Sequence, residues 1–322
     1  SFDEAMALAQ EQNTQVLIDM YATWCGPCHR LDAEVFPQPD VTTSASGLIT
    51  LKINAEEGEG PALVERYHVV GYPTVLLIGS DGQEVDRIFG YLDAPAFAET
   101  LTGFRQGQGT IDELRAAQQA NPEDLQLAAE LGRRAAIRGE YAEAQALLDR
   151  VIEEDADNAL GLRVEAHHTL GKYMYLRGQR DYARALEQFA IIEADFPDTP
   201  EARDSAYQVA VALVRDGQSD RALQTLEGWL ANAEGADEYN SVAWLCYQEE
   251  FAVDQAIAWA RQGLEVDPGA DSLWDTLAEL LSLSGDHQAA VEATRTAIEL
   301  APSEEYYQQQ LTRFQARLDA AN

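Results

Sequence analysis

Apolar residues spaced three and four apart run from Phe2 to about Glu11 and predict an amphipathic helix. Ser1 and Glu4 stand at the spacing of a capping box for it. A continuous apolar run, QVLIDMYA, then reads as a buried strand. Helical spacing resumes after Trp24-Cys25-Gly26-Pro27-Cys28, with Leu31, Val35 and Phe36 on one face until Pro37 and Pro39 stop it. LITLKIN predicts a second strand and PALVERYH a helix. TVLLIG and EVDRIFG are two further strands around Ser80-Asp81-Gly82-Gln83, whose Asp-Gly step is a hairpin signal. Ala94 to Phe104 closes the series as a helix. The order β-α-β-α-β-β-α over residues 1–105 is an α/β pattern, a mixed central sheet with flanking helices.

From Gly107 the period changes. Gly107-Gln108-Gly109-Thr110 is a short linker, so residues 106–121 are expected to hold the linker and a first helix of transition. No strand pattern follows. Trp274, Leu277, Ala278, Gly285, Ala290, Ala297 and Pro302 instead stand at the spacings of the tetratricopeptide (TPR) repeat, and Pro268 precedes Pro302 by one 34-residue period. Related positions recur at Ala256 and Gly263, at Gly217, Ala222 and Leu226, at Gly171, Gly178, Ala185, Phe189 and Pro197, and from Leu131 and Gly132 to Leu148. The Gly171 unit has about two extra residues in its turn. The expectation is about five TPR-like hairpins over 122–302 and a C-terminal capping helix over 303–322, an all-α solenoid whose concave face binds a protein or peptide ligand. Trp229, Trp244, Trp259 and Trp274 are read as core between repeats.

The chain has 322 residues and a net charge of −34, which argues against nucleic acid as a partner because phosphate contacts need clustered Lys and Arg. No apolar run approaches bilayer length, so no membrane insertion is expected. Only Lys52 and Lys172 are lysines. Such acidity resembles that of proteins adapted to brine; the plainer reading is a solvated acidic surface, and runs such as Glu56-Glu57 are read that way. Cys246, alone in a helical segment, is expected to pack as a small hydrophobe.

Cys25 and Cys28 carry the candidate chemistry. Cys-x-x-Cys followed by His29 fits a redox dithiol, a c-type haem attachment or half of a zinc site. The motif follows a buried strand and opens a helix, where free N–H groups favour a thiolate. The haem reading lacks a cytochrome-like context for Met6, Met20 or Met174, and the zinc reading lacks a second cysteine pair. His167 and His168 are adjacent and do not share a helix face, and Asp155-Ala156-Asp157 lacks the rest of a calcium loop, so no metal is expected. His29 itself is read as a solvated helix residue beside the thiolate.

VLIDMYATWCGPC, Lys52 in LKIN and Gly71-Tyr72-Pro73-Thr74 together resemble the thioredoxin fold, and the chain as a whole resembles a thioredoxin-fold oxidoreductase joined to TPR repeats. The resemblance implies Cys25 as nucleophile and Cys28 as resolving thiol, with no cofactor beyond their disulfide. It implies that Asp19 moves the Cys28 proton with Lys52 as its neighbour. It also implies a cis bond before Pro73, and a substrate surface of Trp24, Gly26, Pro27, Tyr72 and Pro73. Ala33 stands where the family has a kinking proline; that departure, VFPQPDV and the SFDEAMALA helix are more similar to the C-terminal domain of DsbD and related thioredoxin-like proteins. The implied function is reduction of disulfides in protein clients brought by the TPR half, in an extracytoplasmic compartment with the leader removed. A chaperedoxin-like holdase with a secondary dithiol is the alternative.

Overall fold

The computed structural model describes residues 1–302 and 304–321, so Ser303 and Asn322 of the expected capping segment lie outside the described residues. These residues divide into two compact units, Ser1–Phe196 and Pro197–Asn322.

Helix α1 (Phe2–Gln12) opens the first unit with the expected capping box: Glu4 N–H donates to Ser1 Oγ at 3.3 Å, and the Glu4 carboxylate accepts from the N-terminal amine at 3.0 Å. Strand β1 (Val16–Tyr21) pairs parallel with β2 (Ile49–Asn54) and antiparallel with β3 (Thr74–Ile78), which pairs antiparallel with β4 (Glu84–Phe89). The order is β2-β1-β3-β4, a mixed sheet. Strand side chains alternate between faces. Val16, Ile18 and Met20 therefore join Phe2, Met6 and Leu63 in one core layer, while Leu17 joins Leu31, Val75, Phe97 and Leu101 in the other. Burial on both faces explains why β1 reads as an unbroken apolar run.

The segment after the cysteines departs from expectation. Helix α2 (Gly26–Arg30) runs into a π-helical turn, Leu31–Val35, and Pro39 then starts α3 (Pro39–Ser44) instead of ending a helix. Proline at the first position of a helix loses no hydrogen bond, so a pattern that reads as a stop also serves as a start. The wide turn spans Ala33, where the kinking proline was missing. Helices α4 (Gly60–Arg66) and α5 (Ala94–Arg105) complete this part.

Helix α6 (Ile111–Ala120) follows the Gly107–Thr110 linker, and among the described residues five antiparallel helical pairs come next. Two lie in the first unit: α7 (Leu125–Arg138) with α8 (Tyr141–Glu154), and α9 (Leu162–Thr169), extended by a π-helical stretch over Leu170–Gln179, with α10 (Tyr182–Asp195). That stretch is where the sequence carries its extra residues. The second unit holds α11 (Pro200–Arg215) with α12 (Ser219–Leu230), α13 (Ala236–Gln248) with α14 (Val253–Val266), α15 (Asp271–Leu283) with α16 (His287–Leu300), and a final helix α17 (Glu305–Ala321). Glycine lets paired helices meet: a Cβ on Gly132 would lie 2.8 Å from Leu148, and one on Gly263 2.6 Å from both Leu273 and Tyr239. Trp259 is buried as expected, but Trp229, Trp244 and Trp274 are only half-buried, and the Trp274 indole donates to the Pro268 carbonyl at 3.0 Å. Among the described residues no helix is long and apolar enough to cross a membrane.

The first compact unit runs well past residue 105 because charged residues join the sheet to α7. On β4, Asp86 is fully buried and accepts from Ile111 N–H at 2.6 Å and from Arg134 Nη2 at 2.6 Å. Glu84 accepts from Arg138 Nη1 at 2.5 Å and from Arg87 Nε at 2.7 Å, and Arg87 also donates to the carbonyls of Tyr67 and Ile137. Glu84 and Asp86 stand at alternate positions of β4.

Candidate active site

Cys25 ends the loop after β1 and caps α2: its backbone is extended (φ −83°, ψ 97°), and its sulfur accepts the Cys28 N–H at 3.2 Å. The Cys25 carbonyl accepts from Cys28 N–H and His29 N–H at 2.9 and 3.1 Å. The chain turns so tightly here that the two Cα atoms stand 5.2 Å apart, joined through a disulfide. Both sulfurs are buried, whereas Gly26 and Pro27 between them are exposed. Pro27 sits in the first turn, where no backbone donor is needed.

Three aromatic residues surround the pair. Tyr21, Trp24 and Tyr72 pack against the cluster of Ala22, Cys25 and Cys28, and Trp24 meets Tyr72 edge-on with ring centres 6.0 Å apart. The Tyr72–Pro73 peptide is cis, as expected, and the Gly90 N–H donates to the Pro73 carbonyl at 2.9 Å. Burial pushes the Tyr72 hydroxyl up to about 12, with the Glu56 charge adding to it. Glu56 was read as solvated surface. It accepts the Trp24 indole N–H at 2.9 and 3.0 Å, and so fixes the ring beside the dithiol. His29 also differs from expectation: it is half-buried, with Nε2 2.8 Å from the Thr23 carbonyl, so this nitrogen carries the proton. No local sequence signal marks either contact, because each closes between residues on different turns.

Asp19 lies on β1, opposite Lys52 in the β1–β2 register. It is 7% exposed, and its Oδ1 has no hydrogen-bond partner among the described residues. Desolvation raises its carboxyl to about 7, against a lowering by Lys52, with Asp32 adding to the rise. The Lys52 ammonium pairs with Asp32 and stands 4.6 Å from the centre of the Tyr21 ring. Lys52 is thus Asp19's strand neighbour, as expected, while its ion pair is with Asp32. Cys246 is buried, and burial pushes its thiol up to about 12.

The family model of the thioredoxin-like domain matches residues 2–104. These residues are a thioredoxin-like domain. A tetratricopeptide-repeat model matches residues 271–304, the pair α15–α16. The thioredoxin-like domain is 35% identical over 99 residues to the thiol:disulfide interchange protein DsbD of Cronobacter sakazakii, covering 30% of this chain and 17% of that protein. DsbD of Pseudomonas fluorescens is 37% identical over 108 residues, with 32% of this chain and 18% of that protein covered. The chain thus spans less than a fifth of these relatives. Among solved structures, the reduced C-terminal domain of DsbD from Neisseria meningitidis is 28% identical, covering 33% of this chain and 94% of that one, with a TM-score of 0.28.

The raised Asp19 carboxyl has a consequence for stability. The folded state keeps its proton to about pH 7, whereas the unfolded chain ionises near 3.8, so stability falls as pH rises between those values. Asp19→Asn removes the cost of ionising a buried carboxyl. It is expected to raise stability at pH 8 by on the order of 2 kcal/mol and to flatten the pH dependence. Urea midpoints at pH 5 and pH 8 measure this; an equal pH slope in the two proteins would contradict it.

Proposed function

We propose that the chain is a thiol–disulfide oxidoreductase that reduces disulfides in protein clients through Cys25 and Cys28. The observation that carries this reading is the capping geometry of Cys25. Its sulfur already accepts a backbone N–H at 3.2 Å at the start of a helix, where a thiolate gains most from free donors.

In the reduced protein the Cys25 thiolate attacks one sulfur of the client disulfide. A Cys25–client bond forms, and the client's other sulfur leaves as a thiolate that takes up a proton. Cys28 then loses its proton and attacks Cys25 Sγ, which releases the second client thiol and forms the Cys25–Cys28 disulfide. Asp19, held near 7 in an apolar setting, is suited to accept that proton at neutral pH, and Lys52 limits the cost of its charge. Trp24, Gly26, Pro27, Tyr72 and Pro73 form the surface on which the client segment rests, since Gly26 and Pro27 are exposed and Trp24 and Tyr72 flank the cysteines. The helical pairs supply protein-binding surface, a role supported by the TPR match.

Cys28→Ser tests this reading. The variant is expected to stall at the mixed disulfide, so that non-reducing electrophoresis and mass spectrometry find a client peptide on Cys25. Absence of any adduct with an oxidised model client, under conditions where the wild type reduces it, would overturn the assignment of the resolving thiol.

A further inference from the structure

Residues 67–73, which end in the cis-Pro73 loop, are held by helices that lie beyond the thioredoxin-like domain. At the start of this segment Arg87 of β4 donates to the carbonyls of Tyr67 and His68, and the same guanidinium donates to the Ile137 carbonyl of α7 at 3.1 Å. The His68 ring meets Tyr141, the first residue of α8, edge-on with ring centres 6.3 Å apart. At the other end Gly71 leaves little room for a side chain. A Cβ there would lie 3.1 Å from an Arg177 guanidinium nitrogen and 3.3 Å from the Phe89 ring.

Phe89 links the loop to the helices. It is the register partner of Thr74, the residue after Pro73, and the next residue, Gly90, donates its N–H to the Pro73 carbonyl at 2.9 Å. The Phe89 ring meets Tyr173 edge-on with ring centres 5.6 Å apart and planes at 89°. Tyr173 belongs to the π-helical stretch Leu170–Gln179, and π-helical turns are rare and frequently sit at functional sites. Its ring is in turn fixed from several directions. His168 meets it edge-on at 6.4 Å, and the Lys172 ammonium and Arg177 guanidinium lie 5.5 and 5.8 Å from its centre. A ring packed on this many sides holds its own position, and so holds that of Phe89.

We propose that Tyr173 is a positioning residue for the exchange reaction: acting through Phe89, it holds the Gly71-Tyr72-Pro73 loop where a client segment must lie to present its disulfide to Cys25. The inference rests on the dithiol reading above and extends that site into the second helical pair. Tyr72 packs against the cluster of Ala22, Cys25 and Cys28, so a shift of the loop changes the face that a peptide meets. Cys25 is placed separately, by β1 and the cap of α2, and is untouched by such a shift. A small misplacement of the groups that orient a reactant slows its reaction even when the nucleophile is intact. A peptide disulfide, which uses the loop, should therefore depend on Tyr173, and a small disulfide that meets only the sulfur should not.

The test uses the full chain, reduced beforehand, and two oxidised substrates: a peptide with an internal disulfide, and bis(2-hydroxyethyl) disulfide. Stopped-flow fluorescence of the protein gives a second-order rate for each. Tyr173→Leu keeps an apolar side chain but loses the ring. It is expected to slow the peptide reaction about three- to tenfold and to leave the small disulfide within about twofold of wild type. Tyr173→Phe keeps the edge-on ring and is expected to match wild type on both. Phe89→Leu, which removes the other half of the contact, is expected to repeat the selective loss. A merely structural role would not move the ratio of the two rates. Tyr173→Leu and Phe89→Leu proteins that keep the wild-type ratio, or a Tyr173→Phe protein that loses it, overturn the positioning role. A wild type that reduces neither substrate overturns the dithiol reading itself, and the positioning role with it; a wild type that reduces both separates the two failures.

Discussion

Cys25→Ser is expected to abolish disulfide reduction, with a loss on the order of a thousandfold or more, down to the rate of the chemical reductant alone. The prediction follows from what the site offers a thiol and cannot offer a hydroxyl. The capping position and the nearby N–H groups favour a sulfur anion, since a thiol ionises near neutral pH when such donors are present. A serine hydroxyl remains protonated there, and its oxygen cannot form the mixed disulfide. Cys246 does not compensate, because its thiol is buried and pushed up to about 12. Insulin reduction followed by turbidity, with dithiothreitol as reductant, measures the effect. A Cys25→Ser variant that keeps more than a tenth of the wild-type rate would sink the mechanism, whatever the behaviour of Cys28→Ser.

Much of that site was legible because its parts are close in sequence or obey strong local rules. A buried strand running into Cys25-Gly26-Pro27-Cys28 leaves few other local structures, and the cis bond at Pro73 followed from family resemblance. Contacts that depend on side chains from different turns were not legible. Glu56 looks like any acid in an acidic run, and only the folded chain brings it within 2.9 Å of the Trp24 indole. Lys52 was expected beside Asp19 and is, yet its ammonium also finds Asp32, which lies in the π-helical turn that no pattern foretold. The periods of 2 and 3.6 residues carry no signature for a five-residue π-turn, so Leu31, Val35 and Phe36 read as an ordinary helix face.

The same distinction runs through the fold. The succession of strands and helices and the helix pairs followed from apolar spacing and from the small residues at Gly132 and Gly263, where a Cβ would clash. The contacts that tie β4 to α6 and α7 did not follow, because they depend on acids at alternate positions of β4. Nothing in EVDRIF sets Glu84 and Asp86 apart from the many other acids of the chain. In the folded chain both carboxylates are covered by Arg134 and Arg138 of α7, and the cost of burying them is offset only because each is paired.

Asp86→Ala is accordingly expected to destabilise the first unit by about 3–5 kcal/mol, the range for breaking one side of a buried ion pair. Asp86 has a side-chain exposure of 1% and binds Arg134 Nη2 at 2.6 Å, with Arg138 Nη1 at 3.8 Å. Its loss leaves the Ile111 N–H without its acceptor at the start of α6, and leaves the guanidinium groups of Arg87, Arg134 and Arg138 with Glu84 as their buried carboxylate, the half-buried Glu140 reaching Arg138 Nε at 3.3 Å. Uncompensated like charge in a buried setting costs more than the lost attraction, so the effect should be far larger than for an exposed pair. Asp112→Ala provides the comparison: Asp112 also pairs with an arginine, Arg115 at 2.8 Å, but is 83% exposed, and its removal is expected to cost no more than about 0.5 kcal/mol. Urea unfolding of the full chain, followed by fluorescence together with proteolysis at the Gly107–Thr110 linker, distinguishes the two. Asp86→Ala should lower the midpoint and expose the linker to cleavage, because β4 and α6 then lose the residue that holds them together. If the two variants unfold alike, the buried carboxylate is not what joins the sheet to the helices after it.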